Sequence, residues 1–345
     1  MSTTPNPTPP VAITGEALIG LVDAARAQVA QAFVGQAEIL DHILVALLAG
    51  GHVLVEGVPG LVKTLLVRAL ATALDCGFAR VQFTPDLMPS DVSGHAFYDQ
   101  KSEEFRIRRG PVFTNLLLAD EINRAPAKVQ SALLEVMQEY QVTIAGQTHI
   151  VPTPFLVMAT QNPIETEGTY PLPEAQVDRF MMKVLVGYPN EEEEFVIVER
   201  VTGVPAEVAT VASTDQLSAL QRQCRNGYVD PSLIQYAVRL AAATRQPDRY
   251  GVVDFSKYVT FGASPRASIH LIEGARALAY LRGRDYVLPD DVSDLAPDVL
   301  RHRLVLSYEA LADGLTPDQL VHKIMQRIPP PDKPLESHVR FASQG

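Results

Sequence analysis

The chain has 345 residues, a formal net charge of −11 and two cysteines, Cys76 and Cys224. That length allows two domains of ordinary size, each with its own apolar core. The acidic balance argues against a surface that tracks nucleic-acid phosphate, and two thiols without metal-ligand spacing exclude a disulfide or zinc framework and suit a reducing, cytoplasmic setting.

In chain order, Met1 to Pro10 is rich in threonine and proline, carries no basic residue and leads into no apolar run long enough for a secretory signal or a membrane span. Residues 1–13 therefore read as a disordered tail. From Thr14 to about Gly187, short apolar runs alternate with helical patterns, the mark of a parallel sheet covered by helices. His52 to Glu56, Ala79 to Phe83, Asn115 to Ala119, Pro154 to Thr160 and Met181 to Val186 are the five expected strands. Ala127 to Tyr140 is an expected crossover helix. Gln141 to Val151 reads as a hairpin turning at Ala145-Gly146, and Phe105 to Val112 as a second projecting hairpin. Within the latter, Arg106, Arg108 and Arg109 are read as a solvated face rather than an electrostatic groove.

After Tyr188-Pro189 the composition changes. Glu191 to Glu194 open a helix, and from Thr214 the pattern is almost wholly helical. Pro231 to Arg245, Pro265 to Gly283 and Pro289 to Leu304 each place a proline in the first turn, and Ile269, Ile272, Arg276 and Ala279 share one expected face. The expected organisation is an α/β core over residues 14–205, an all-helical domain over 206–328, and a flexible tail over 329–345.

Two stretches carry chemistry. Gly57-Val58-Pro59-Gly60-Leu61-Val62-Lys63-Thr64, with Leu65 opening a helical pattern, lies between an apolar strand and a helix, the context of a phosphate-cradling loop. Backbone amides would surround the phosphates, Lys63 would reach the β- and γ-phosphate oxygens, and Thr64 would ligate Mg²⁺. The motif has glycine where Val62 stands, and a β-branched residue forced to positive φ costs about 1–3 kcal/mol. A glycine-rich turn without a ligand is the alternative. Leu116 to Ala119 then runs into Asp120-Glu121. Asp120 would hold magnesium through water and Glu121 would orient and deprotonate the attacking water; the alternative is a buried strand with acids opening a loop.

The segments GVPGLVKT, LLLADEINRAP, ATQNPIETEGTYPLPEAQVDRF and GASPRA resemble the signature stretches of the MoxR family of AAA+ ATPases, over roughly Val34 to Leu306. The resemblance implies a P-loop NTPase core with a parallel sheet, a small helical lid domain, ATP or ADP with Mg²⁺ as cofactors, and a homo-oligomeric ring of six subunits. It also implies that Asn162 is the polar sensor beside the γ-phosphate, Arg179 a finger reaching the next subunit's site, Arg266 a γ-phosphate contact from within the same chain, and Gly35-Gln36 part of the adenine pocket. Each has a plainer reading: a turn at Asn162-Pro163, pairing of Arg179 with Glu174 or Asp178, Arg266 as a first-turn residue, and an ordinary loop at Gly35-Gln36. The family picture adds a client protein that is remodelled or matured, with metal-cofactor insertion and a von Willebrand A-type partner among the options. Two other functions stay open: a nucleotide-gated scaffold with little turnover because of Val62, and a DNA-unwinding ring, which the acidic charge disfavours.

Overall fold

The computed structural model describes residues 15–33, 37–57, 62–163, 168–203 and 206–331. The expected N-terminal tail and nearly all of the C-terminal one lie outside these residues, as do Gly35, Gln36, Val58, Pro59, Gly60 and Leu61. The described chain begins with α1 (Gly15–Ala32) and α2 (Ala37–Ala49), then β1 (Val53–Gly57), α3 (Val62–Ala73), β2 (Phe78–Gln82), α4 (Pro89–Ser93), β3 (Gly94–Asp99) and β4 (Glu104–Arg109). It continues through β5 (Leu116–Asp120), α5 (Ala127–Glu139), the hairpin β6 (Gln141–Ile144) and β7 (Gln147–Ile150), β8 (Leu156–Gln161), α6 (Glu174–Val177) and β9 (Met182–Val186).

β2, β5, β8, β1 and β9, in that spatial order, form one sheet whose paired strands are all parallel. Covered on both faces, such strands read as continuous apolar runs, and their side chains alternate between two cores. Val53, Val55, Leu116, Leu118, Leu156 and Met158 join α1, α2 and α3 in one cluster. Leu54, Leu117, Ala119, Val157 and Ala159 join Leu133, Val136 and Met137 of α5 in the other. A fully buried leucine contributes about 1.5–3 kcal/mol, so the expected strands were identifiable from composition, with ends displaced by one or two residues.

The second half comprises α7 (Glu191–Thr202), α8 (Thr214–Arg225), α9 (Pro231–Arg245), β10 (Val259–Phe261), α10 (Pro265–Leu281), α11 (Pro289–Leu300), β11 (Val305–Leu306), α12 (Tyr308–Ala312) and α13 (Pro317–Arg327). Side chains of Ser213, Asp230, Ser264, Ser307 and Thr316 accept hydrogen bonds from first-turn amides, and prolines open α9, α10, α11 and α13. Such caps each contribute about 1 kcal/mol. This half does not bury a core of its own: Leu220, Leu233, Leu271, Leu295 and Ile324 belong to the same cluster as α1, α2 and α3. α10 and α8 both pack on α2.

Three local expectations are corrected. Only one strand of the upstream hairpin lies within Phe105 to Val112; β4 pairs antiparallel with β3, so the hairpin begins at Gly94. In α10 the buried stripe includes Ala267, Leu271, Gly274 and Ala275, while Ile269 is 53% exposed. Small residues face inward because neighbouring helices approach closely: a Cβ on Gly274 would stand 3.0 Å from Leu295. α11 stops at Leu300, and Val305–Leu306 pair with β10 in a short ladder that helical periodicity concealed. No helix of the described residues is long and apolar enough to cross a membrane.

Candidate functional site

At the carboxyl edge of the sheet, β1 ends in Gly57 and α3 starts at Val62. The first turn of a helix presents unpaired amides and a positive dipole end, which suits phosphate. Lys63 folds back so that Nζ donates to the Gly57 carbonyl at 3.1 Å. Burial pushes the Lys63 ammonium below its usual range, against the opposing pull of Asp120 and Glu121. Thr64 follows in the same turn, and Leu65 is exposed. Val62 has right-handed helical backbone, so the strain that a β-branched residue would suffer at positive φ does not arise there.

β5 runs beside β8 with Ala119 opposite Ala159, which brings Asp120 next to Thr160 and Glu121 alongside the end of β8. The Thr160 hydroxyl donates to Asp120 Oδ1 at 2.6 Å and accepts the Glu121 amide at 2.8 Å. Arg80 donates to Asp120 Oδ2 at 2.6 Å, and Glu121 Oε2 accepts from Gln82 at 2.7 Å and from Arg124 at 2.9 Å. Glu121 itself has φ 55° and ψ 52°, a left-handed conformation in which a non-glycine residue stores about 1–3 kcal/mol. Asn162, one residue past β8, is buried. Thus Asp120, Glu121 and Asn162 stand at adjacent strand ends. Arg80, Gln82, Arg124 and Thr160 were not singled out from the sequence; the one available signal was a polar pair at alternate positions, Arg80 and Gln82, near the end of the strand before the acidic one.

Thr64 and Asp120 supply the hard oxygen donors that Mg²⁺ prefers, and this ion keeps several waters and needs few protein ligands. The donor chemistry at this edge therefore fits the ion.

Arg179 and Arg266 are elsewhere. Both line a cavity of about 180 Å³ with Gly51, His52, Tyr140 and His270, at the amino edge of the sheet where β1 begins. Five residues of β1 separate that edge from the phosphate loop, about 17 Å at 3.3 Å per residue. The expected contact of Arg266 with the γ-phosphate of its own chain is corrected: α10 packs on α2 and delivers Arg266 to the edge carrying Arg179. Arg266 pairs with Asp178 at 3.4 Å, and Ser264, the cap of α10, donates to the same carboxylate at 2.8 Å. Burial would raise the Asp178 pKa, yet the Ser264 bond and the Arg303 and Arg266 cations hold it below the usual carboxylate range. Arg179 Nη1 donates to the Leu134 carbonyl at 3.0 Å; its neighbour Asp178 is held by Arg266 and Arg303 instead.

A lysine-threonine helix start after β1, an aspartate and a glutamate at the end of β5, and a parallel sheet ordered β2-β5-β8-β1-β9 followed by a helical module define a P-loop nucleotide-binding domain of the AAA+ type. Residues 52–182 match the family model described as "ATPase family associated with various cellular activities (AAA)", and residues 254–324 match the AAA lid domain. The chain is 54% identical over 301 residues to chaperone MoxR1 of Mycobacterium tuberculosis, covering 87% of this chain and 80% of that one. It is 46% identical to the YeaC protein of Bacillus subtilis (86% and 91% covered) and 31% identical to the MoxR protein of Methylorubrum extorquens (88% and 93%). A crystal structure of a candidate ATPase from Cytophaga hutchinsonii superposes with a TM-score of 0.88 at 44% identity, covering 92% of this chain and 97% of that one. The chain belongs to the MoxR family of AAA+ ATPases.

Proposed function

We propose that this chain hydrolyses ATP in a site completed by a second copy of itself, and that the cycle drives chaperone-like remodelling or maturation of a client protein. The observation that carries the shared site is the separation of Arg179 and Arg266 from Lys63, Asp120 and Glu121 by the length of β1. Phosphoryl transfer to water depends on positioning and on neutralising charge; Arg80 and Arg124 at this edge are held by Asp120 and Glu121, so a site without a further arginine for the transferring group is incomplete. Lys63 binds the β- and γ-phosphate oxygens, with the loop Val58, Pro59, Gly60, Leu61 and Val62 and the amides of Thr64 and Leu65 around them. Gly35 and Gln36 border the adenine. Thr64 and Asp120 would hold Mg²⁺, which would supply positive charge against that of the phosphates; Glu121 takes the proton of the attacking water, and Asn162 helps fix the water's position. Arg179 and Arg266 of the neighbour stabilise the transferring group.

The coupling to a client rests on likeness to a relative named as a chaperone. A cytoplasmic ring of six copies, a core over 14–205 with a lid over 206–328, and a client taken with or without a von Willebrand A-type partner, including one that receives a metal cofactor, belong to the same reading. Nucleic acid is not an expected partner at a net charge of −11. Phosphate release from ATP and Mg²⁺, followed as protein rises from nanomolar to tens of micromolar, tests the shared site. Specific activity should climb with concentration and vanish in Glu121→Gln and Arg179→Ala; activity independent of concentration would overturn it.

A further inference from the structure

Arg303 lies in the short helical turn Arg301–Arg303 that follows α11, within the second half of the chain, yet its guanidinium is spent on the loop carrying Arg179. The side chain is 1% exposed. Nε donates to Asp178 Oδ1 at 2.7 Å, and Nη2 reaches the Asp178 carbonyl at 2.8 Å and the Phe180 carbonyl at 2.7 Å. Nη1 donates to the Met181 carbonyl at 3.2 Å and to that of Val299. Nη2 also meets His270 Nδ1 at 2.7 Å, which makes that nitrogen the acceptor and leaves the imidazole neutral. The carbonyls on either side of Arg179 are thus gripped by one side chain.

A buried cation is a poor means of gaining stability, because desolvation offsets most of what its partners return; apolar residues of the same volume do as well. What a forked guanidinium does provide is direction, since its donors are fixed in one plane. Here the plane fixes the peptide groups bracketing Arg179, while the Arg179 side chain itself, among the described residues, donates to the Leu134 carbonyl alone. Asp178 closes the arrangement by also holding Ser264 and Arg266 at the start of α10. We propose that Arg303 is a positioning residue for Arg179: it sets the aim of the arginine offered to the neighbouring subunit and makes that aim depend on how the lid is seated. This rests on the reading of Arg179 as acting in trans.

Arg303→Ala would leave Asp178 Oδ1 and several carbonyls without the donor that Arg303 supplies and would compromise folding, so Arg303→Lys is the informative variant: it keeps a cation opposite Asp178 and loses the fork. Its ATP affinity should stay within about twofold of wild type, because the phosphate loop lies at the other edge, while kcat falls about 10- to 100-fold, the scale of a small misplacement of a catalytic group. Mixing decides the mechanism. In a 1:1 mixture with Glu121→Gln, a subunit carrying Arg303→Lys receives an intact finger from its inactive neighbour, and turnover should recover to about a quarter of wild type, the random share of competent pairs in a head-to-tail assembly. Arg179→Ala mixed with Glu121→Gln is the reference. Recovery of the reference without recovery of Arg303→Lys would show a purely structural role and overturn the proposal, as would wild-type turnover of Arg303→Lys alone. Failure of the reference itself would refute action in trans and remove both readings together.

Discussion

Thr160 ties itself to Asp120 through a 2.6 Å hydrogen bond while its oxygen receives the amide of Glu121, so one hydroxyl fixes the Asp120 carboxylate and the backbone of Glu121. The residue is 2% exposed and sits at the end of a central strand.

Replacing Thr160 by valine keeps the volume and removes the hydroxyl. The Glu121 amide loses its acceptor, which costs about 1–3 kcal/mol of stability. The larger effect is on chemistry: Glu121 is held in a left-handed conformation and loses one constraint on it. Turnover should fall at least about tenfold with ATP affinity changed less than threefold; equal turnover in steady-state assays would show that Thr160 does not position the acids.

Val62→Gly addresses the scaffold reading. Because Val62 has helical backbone, glycine relieves no strain and loosens the first turn of α3, at a cost of about 0.5–1 kcal/mol. Turnover should stay within about twofold of wild type. A large acceleration would restore the view that this side chain suppresses hydrolysis.

Asp291 is fully buried and accepts from Arg282 at 2.8 Å, from two nitrogens of Arg284 at 2.7 Å, and from the Leu288 amide at 2.8 Å. Asp291→Ala leaves Arg284 without its carboxylate, leaves Arg282 with Asp294 alone among the described residues and removes the cap of α11, and breaking such a pair from one side costs about 3–5 kcal/mol. The denaturant midpoint should drop accordingly; a loss below about 1 kcal/mol would mean that water replaces the carboxylate.

Acid should destabilise the fold through its buried imidazoles. Burial lowers the pKa of His52 from 6.5 to about 4, and that of His270 to about 3, where burial is joined by the nearby Arg303. An unfolded chain takes up these protons near 6.5 and the folded one does not, so the contribution is whole above 6.5 and declines as pH falls towards 4, by about 1.4 kcal/mol per pH unit for each group. His42 acts in the opposite sense: burial lowers its pKa, but the bond to Asp298 and its charge, together with the Glu38 carbonyl and carboxylate, outweigh that and raise it. Urea midpoints at pH 7.5 and 5.0 should separate more for wild type than for His52→Gln, whose amide can still accept from Val157 and donate to Met137 as His52 does. Equal separations would assign the pH response to other groups.

The parallel core was legible because its strands are buried on both faces, which leaves unbroken runs such as Leu116 to Ala119, and because prolines and small polar residues mark helix starts such as Ser264-Pro265. Lys63, Thr64, Asp120 and Glu121 were singled out from order and context, and their role remains the proposal made above. Arg266 was not placed correctly, since a linear motif states what a residue is and not which sheet edge its helix reaches; that depends on α10 packing against α2, more than 200 positions earlier in sequence. Arg80, Gln82 and Thr160 escaped for a related reason: their roles arise from the register of β2, β5 and β8, and hydrogen bonds across a sheet leave no local periodicity.

The apolar cluster running from α1 to α13 has a thermodynamic consequence. Residues of both halves crowd one side of Gly274, where an added Cβ would stand 3.0 Å from Leu295 and 3.8 Å from Val45, so removing the helical half would expose α2 and the part of β9 that α11 covers. A sequence that reads as two domains should therefore melt in a single transition, with calorimetric and van't Hoff enthalpies in agreement. Any movement of the lid must then take the form of small sliding between packed helices rather than free swinging on a linker.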